Sequence, residues 1–79
     1  MRITLKYFGM VAESTGKDNE ELIIDENMAL DELQYLIEKK YSALDKIAYE
    51  IAINQSIENE KIHLKENDEI ALLPPFAGG

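Results

Sequence analysis

The sequence predicts an α+β fold in which a mixed sheet is covered on one face by a single main helix. Short segments of alternating apolar and polar residues recur along the chain, and only residues 30–41 carry a long helical apolar stripe. The length of 79 residues suits one small domain, predicted to span 1–79. One helix and several half-buried strands bury their apolar faces best when the helix packs across the sheet.

The predicted strands are recognised by their period of two. Ile3, Leu5 and Tyr7 share one face of the first, and Leu22 and Ile24 share one face of the second. Residues 10–15 are predicted to add a short helical turn to the connection between them. The predicted strands are 2–8, 20–24, 49–54, a short one at 62–64, and 69–73.

The predicted main helix has acidic residues in its first turn and lysines in its last, as the helix dipole favours. Asn27 or Ala29 is its expected N-cap. Its apolar stripe comprises Leu30, Leu33, Leu36 or Ile37, and Tyr41. This order of elements predicts a β-grasp, ubiquitin-like arrangement.

Composition excludes several classes of function. The net charge of −8, from 16 acidic and 8 basic residues, repels nucleic acid and favours a basic partner. Cysteine is absent, which excludes thiolate zinc sites, and no metal site is predicted. No signal-type segment or membrane-length apolar run occurs, so a cytoplasmic protein without a membrane partner is expected.

No side-chain active site is predicted. His63 is the single histidine and has no evident partner for a triad or metal site. The sequence contains no phosphate-binding glycine motif. The sequence therefore does not decide whether the chain is an enzyme in its own right.

Two apolar residues fall on the face predicted to be uncovered. Phe8 closes the first strand opposite Ile3 in parity, and Leu73 closes the last strand opposite Ile70. The first and last strands are neighbours in ubiquitin-like folds, so Phe8 and Leu73 are expected to form one patch. With Phe76, which follows just outside the strand, they are predicted to contact partners.

The segment LLPPFAGG is predicted to leave the sheet as a flexible, extended tail over 73–79. Pro74 and Pro75 favour a stiff, extended path. Ala77 and Gly78 are narrow enough to thread a channel that larger side chains would block. The α-carboxylate of Gly79 is the expected reactive group, once a partner has activated it with ATP.

Residues 72–79 resemble the tail of the small subunit of molybdopterin synthase, the MoaD branch of the ubiquitin-like sulfur carriers: a hydrophobic pair, Pro-Pro, a variable residue, a small residue and Gly-Gly. Ile53-Asn54-Gln55 and Asn67-Asp68-Glu69-Ile70 resemble two turns of that family. Asn67 replaces the usual glycine, and asparagine tolerates the left-handed conformation required there.

The resemblance implies a function located at the tail. A MoeB-like adenylyltransferase, related to ubiquitin-activating enzymes, binds the nucleotide and adenylates Gly79. Sulfur from a persulfide protein then converts Gly79 to a 1-thioglycine thiocarboxylate. The tail inserts into a MoaE-like large subunit, usually in a two-plus-two heterotetramer, and donates sulfur to a cyclic pyranopterin precursor of molybdopterin. The chain is thus the small subunit of a sulfurtransferase complex, and no tightly bound cofactor is expected.

Three alternatives remain at the level of sequence. In the first, the chain is a carrier for another pathway, such as that of the thiamine thiazole, although those tails usually lack Pro-Pro. In the second, it is a protein modifier joined to lysines through Gly79. In the third, it is an interaction module with an inert tail.

Overall fold

The computed structural model of the chain describes residues 1–75. Within this range the strands are β1 (Arg2–Tyr7), β2 (Asn19–Ile23), β3 (Glu50–Ile53), β4 (Ser56–Ile57) and β5 (Glu69–Leu73). They form one five-stranded sheet with the order β2-β1-β5-β3-β4. The central strands β1 and β5 run parallel, and the other neighbours run antiparallel. The predicted mixed sheet and the adjacency of the first and last strands are confirmed.

The helices are α1 (Gly9–Thr15), α2 (Leu30–Lys40) and a 3-10 helix at Ser42–Lys46. Helix α2 begins after Ala29, whose backbone N–H donates a hydrogen bond of 2.8 Å to the Glu32 carboxylate. Of the two candidate caps, Ala29 is therefore the observed one. Asn27 lies before the helix with a left-handed φ of 66°.

The core lies between α2 and one face of the sheet. Ile3, Leu5, Ile70 and Leu72 are fully buried on the two central strands. Their partners from outside the sheet are Val11, Leu33, Ile37 and Leu44. Burying each such side chain contributes about 1.5–3 kcal/mol, so this layer is the main source of stability. The helical stripe uses Ile37, while Leu36 is 40% exposed.

The prediction of a short strand at 62–64 is wrong. The short strand is β4 at Ser56–Ile57, which pairs with β3 through the tight turn at Asn54 and Gln55. Both turn residues have positive φ, at 49° and 73°, as a two-residue hairpin requires. Farther along, His63 makes only an isolated bridge to Ala29. Ile62 and Leu64 alternate with polar residues as in a strand, because both face the core from an irregular segment.

A carboxylate ties one edge of the sheet to the C-terminal end of α2. The side chain of Glu20, on β2, is only 10% exposed. Its carboxylate accepts hydrogen bonds from the hydroxyl groups of Tyr7 and Tyr41. It also pairs with Lys40 at 2.9 Å and Lys17 at 3.2 Å. Four donors thus converge on one anion between β1, β2 and α2.

Burial raises the pKa of the Glu20 carboxyl, but hydrogen bonds from Tyr7, Lys40, Tyr41 and Lys17 outweigh this effect and lower the pKa to about 2. Burial, reinforced by the Glu20 anion, raises the pKa of the Tyr7 hydroxyl far above its usual range. Glu20 is therefore ionised and Tyr7 neutral at physiological pH.

Candidate functional site

The face of the sheet opposite α2 carries an apolar patch at the end of β1 and β5. A depression of about 430 Å³ lies there, and its apolar lining is called the sheet patch. The sheet patch comprises Phe8, Ala52, Ile57, Ala71 and Leu73.

Strand register accounts for this grouping. Ala71 lies opposite Ala52 across β5 and β3, and Ala52 lies opposite Ile57 across β3 and β4. Residues directly opposite one another share a face of the sheet. Phe8 extends the β1–β5 ladder, since its N–H donates a hydrogen bond of 3.2 Å to the Leu72 carbonyl.

The prediction that Phe8 and Leu73 share the uncovered face is confirmed. Phe8 is 44% exposed, Leu73 is half-buried, and both line the same depression. Sequence reasoning did not identify Ala52 and Ile57 as members. Ile57 was missed because the short strand was assigned to a later segment.

Charged residues border the sheet patch. Lys6 and Glu69 form an ion pair of 3.1 Å across β1 and β5, and both line the depression. Glu50 lies directly opposite Leu73 in the β3–β5 register. Glu50 is exposed, so it presents a negative charge beside Leu73.

The chain leaves the sheet beside this patch. β5 ends at Leu73, and Pro74 and Pro75 follow as exposed residues outside the strand. Pro74 lies against Gly9, where a Cβ would approach the Pro74 Cγ atom to 2.9 Å. Gly9 also has a φ of +56°, so both backbone conformation and space favour glycine there. Sequence reasoning gave Gly9 no role.

The remaining predicted tail residues, Phe76, Ala77, Gly78 and Gly79, lie outside the described residues. Of the predicted interface and tail residues, the structure therefore describes Phe8, Leu73, Pro74 and Pro75.

The described residues also bear on metal binding and on membrane insertion. Residues 1–75 contain no group of three or more histidine, cysteine or carboxylate side chains arranged to hold a metal ion. None of the helices in that same range combines the length and apolar character needed to cross a bilayer.

Comparison with known proteins matches residues 5–79 to the model of the ThiS family. A curated relative, the molybdopterin synthase sulfur carrier subunit of Caenorhabditis briggsae, is 31% identical over 81 residues, covering 98% of this chain and 96% of the relative.

Two solved structures share the fold along essentially the whole chain. A Pyrococcus furiosus protein, provisionally described as subunit 1 of molybdopterin converting factor, superposes with a TM-score of 0.91 at 22% identity, covering 96% of this chain and 99% of its own. In a complex of subunits 1 and 2 of molybdopterin-converting factor from Helicobacter pylori, the matching chain has a TM-score of 0.70 at 28% identity with both chains fully covered. With its β-grasp fold and this match over residues 5–79, the chain belongs to the ThiS family.

Proposed function

We propose that this protein is a sulfur carrier and acts as the small subunit of a molybdopterin synthase. Its curated relative of that name aligns along 98% of the chain. The observation that carries the proposal is the position of the sheet patch beside the exit of the Pro74–Pro75 segment. A partner that covers the patch also receives the start of the tail.

The proposed chemistry takes place at Gly79. Its carboxylate attacks the α-phosphorus of ATP on an activating enzyme, forming an acyl-adenylate and releasing pyrophosphate. A persulfide protein supplies sulfur, AMP leaves, and a thiocarboxylate remains on Gly79 after the sulfur–sulfur bond is reduced by a thiol. The thiocarboxylate sulfur then displaces an oxygen substituent from a carbon of the cyclic pyranopterin precursor, and water cleaves the resulting thioester, which leaves the sulfur on the precursor and returns the Gly79 carboxylate. Repetition with a second carrier adds the second sulfur of the dithiolene.

The described side chains support binding rather than catalysis. Phe8 and Leu73 offer apolar area, and Glu50 offers a negative charge at its rim. Interfaces combine such an apolar centre with a polar rim. Pro74 and Pro75 restrict the directions available to the following residues. The catalytic side chains are expected on the large subunit, and Ala77 and Gly78 are expected to pass through its channel.

The test measures the intact mass of the full chain after incubation with a MoeB-like activating enzyme, ATP and a persulfide donor. The expected product has one oxygen replaced by sulfur, and tandem mass spectrometry places the change on Gly79. A reaction without ATP and a variant lacking Gly79 are the controls, and neither is expected to change. An unaltered mass in the complete reaction contradicts the carrier chemistry.

The loaded protein is then mixed with a MoaE-like subunit and the precursor to assign the pathway. Dithiolene formation supports the synthase proposal. Sulfur transfer to a thiazole synthase instead supports a carrier for thiamine. Attachment of Gly79 to lysines of other proteins, seen as bands of higher mass, supports a modifier. Either of the latter results, without dithiolene formation, overturns the assignment to molybdopterin synthase.

A further inference from the structure

The solvent side of α2 carries a second apolar surface, remote from the sheet patch. A shallow depression of about 550 Å³ is lined by residues that we call the α2 outer face. The α2 outer face comprises Met28, Asp31, Glu32, Tyr35, Leu36 and Lys39. Tyr35 and Leu36 are adjacent at the middle of the helix, and their side chains are 64% and 40% exposed. An exposed aromatic and an exposed leucine side by side are typical of a contact surface.

The charges of this face are separated along the helix axis. Asp31 and Glu32 lie on one side of Tyr35 and Leu36, and Lys39 lies on the other. The Lys39 ammonium is 5.2 Å from the centre of the Tyr35 ring. Asp31 pairs with the exposed Lys61 at 3.0 Å, whereas Glu32 uses one carboxylate oxygen to cap Ala29.

This distribution is complementary to itself. When two such helices pack antiparallel about a twofold axis between Tyr35 and Leu36, residues whose numbers sum to 71 face each other. Tyr35 then faces Leu36 of the second copy, and Lys39 faces Glu32, with each contact made twice. An axis shifted to Tyr35 itself places Lys39 opposite Asp31, so a carboxylate meets Lys39 in either case.

We propose that the α2 outer face binds a second copy of this chain through an antiparallel, twofold helix pair. Charge complementarity favours this occupant, because the carboxylate and ammonium groups recur at matching distances from the axis. The sheet patch lies on the opposite side of the sheet, so it stays open in such a pair. The net charge of −8 on each copy opposes association, so a weak dimer is expected, with a Kd between about 10 µM and 1 mM.

Sedimentation equilibrium of the full chain, at concentrations up to about 1 mM and at moderate salt, measures this association. We expect concentration-dependent dimers. Leu36→Ser removes apolar contact, and Lys39→Glu places like charges opposite one another, so each is expected to weaken the dimer at least about tenfold. Ile23→Ser is the matched control, because Ile23 is 73% exposed on β2, away from α2, and it is expected to leave the dimer unchanged.

Mixing charge variants tests the register. Lys39→Glu carries acidic groups at both positions 32 and 39, and Glu32→Lys carries basic groups at both, so with the axis between Tyr35 and Leu36 each is expected to stay monomeric alone. A Glu32→Lys chain that dimerises alone instead indicates the axis at Tyr35, where Asp31 still faces Lys39. In a one-to-one mixture, positions 32 and 39 of one variant face opposite charges on the other variant, so the mixture is expected to dimerise. Circular dichroism checks that both variants are folded, because Glu32 caps α2.

A monomeric wild-type chain at every concentration, or a mixture that stays monomeric, overturns the proposal. So does a dimer that Leu73→Ser abolishes and Leu36→Ser leaves intact.

Discussion

Gly9 has no side chain, and this allows the start of α1 to contact Pro74 closely. Its φ of +56° lies in the left-handed region, and the Cγ atom of Pro74 lies only 2.9 Å from the position that a Cβ would take. Pro74 is the first residue after β5. The contact therefore influences the direction in which the chain leaves the sheet, although nothing in the local sequence around Gly9 refers to Pro74.

We predict that Gly9→Ala displaces Pro74. The loss of stability is expected to exceed the cost of placing alanine in a left-handed backbone conformation. Left-handed backbone costs alanine about 1–2 kcal/mol, and the 2.9 Å approach to Pro74 adds to this cost. Gly16→Ala is the matched control, since Gly16 has a φ of +76° and nothing within 4 Å of an added Cβ. The free energy of unfolding and the carbon chemical shifts of Pro74 measure the two effects.

The expected result is a larger loss of stability for Gly9→Ala than for Gly16→Ala, with shifted Pro74 resonances only in the former. Equal losses and unmoved Pro74 resonances would show that Gly9 is required for its backbone conformation alone.

Single residues also show how far local chemistry predicts backbone conformation. Asn67 was expected to adopt a left-handed conformation, because it stands where the similar turn of the carrier family has glycine. Its φ of 67° confirms this expectation. Gln55 has a φ of 73°, which its residue type does not indicate. The two-residue connection between β3 and β4 imposes it.

At the scale of elements, Glu20 and its four donors (Tyr7, Lys17, Lys40 and Tyr41), together called the Glu20 cluster, hold β2 against the end of α2. The carboxylate accepts bonds from Tyr41 at 2.7 Å and from Lys40 at 2.9 Å. Both partners lie far along the chain from β2. The cluster anchors an edge strand whose other residues alternate between half-buried and exposed.

We predict that Glu20→Gln lowers the free energy of unfolding near pH 7 and makes this free energy less sensitive to acidic pH. The folded-state pKa of Glu20 is about 2, below its ordinary value, so its stabilisation is complete above about pH 5 and is lost as the pH falls toward 2. The amount is on the order of 3 kcal/mol at most. Chemical denaturation of wild type and variant between pH 7 and pH 2.5 measures it.

The difference in unfolding free energy between wild type and Glu20→Gln should shrink steadily as the pH is lowered. Glu13→Gln removes an exposed carboxylate and serves as the control, with little expected change at any pH. A difference that stays constant from pH 7 to pH 2.5 would contradict the ionic role of Glu20.

Element prediction succeeded where periodicity is strong and failed where burial is irregular. The main helix and the four longer strands were located within one or two residues. The 3-10 helix at Ser42–Lys46 was not predicted, because its single buried residue, Leu44, leaves no periodic pattern. Leu36 and Ile37 were equivalent in spacing, and the sheet packed against Ile37.

For the whole molecule, the important feature is the separation of two exposed surfaces. The sheet patch lies on the open face of the sheet and the α2 outer face lies beyond the helix. Under our proposals, the first binds the large subunit and the second binds another copy. The two functions can then be altered independently.

We predict that Phe8→Asp weakens binding to a MoaE-like subunit at least about tenfold, because it places a charge in the apolar centre of the patch. Ile23→Asp is the matched control, since Ile23 is also exposed but lies on β2 outside the depression. Titration calorimetry with the purified large subunit measures both affinities. Unfolding curves verify that both variants are folded.

Equal affinity for Phe8→Asp and wild type would remove the sheet patch from the proposed interface. Equal weakening by both variants would point to general charge repulsion instead.

The amino-acid sequence was sufficient to predict the strand alternation, the main helix and the resemblance of residues 72–79 to a carrier tail, and it contains no cysteine. These features are local, because a period of 2 or 3.6 residues and a short motif are visible within a few residues. It also predicted the meeting of Phe8 with Leu73, since their parity and the expected strand order were enough. Three contacts became visible only in the folded chain: Pro74 lies against Gly9, Ile57 joins the sheet patch, and four donors converge on Glu20. Those contacts depend on strand register and helix position, which are set when distant segments compete to bury the same apolar surface.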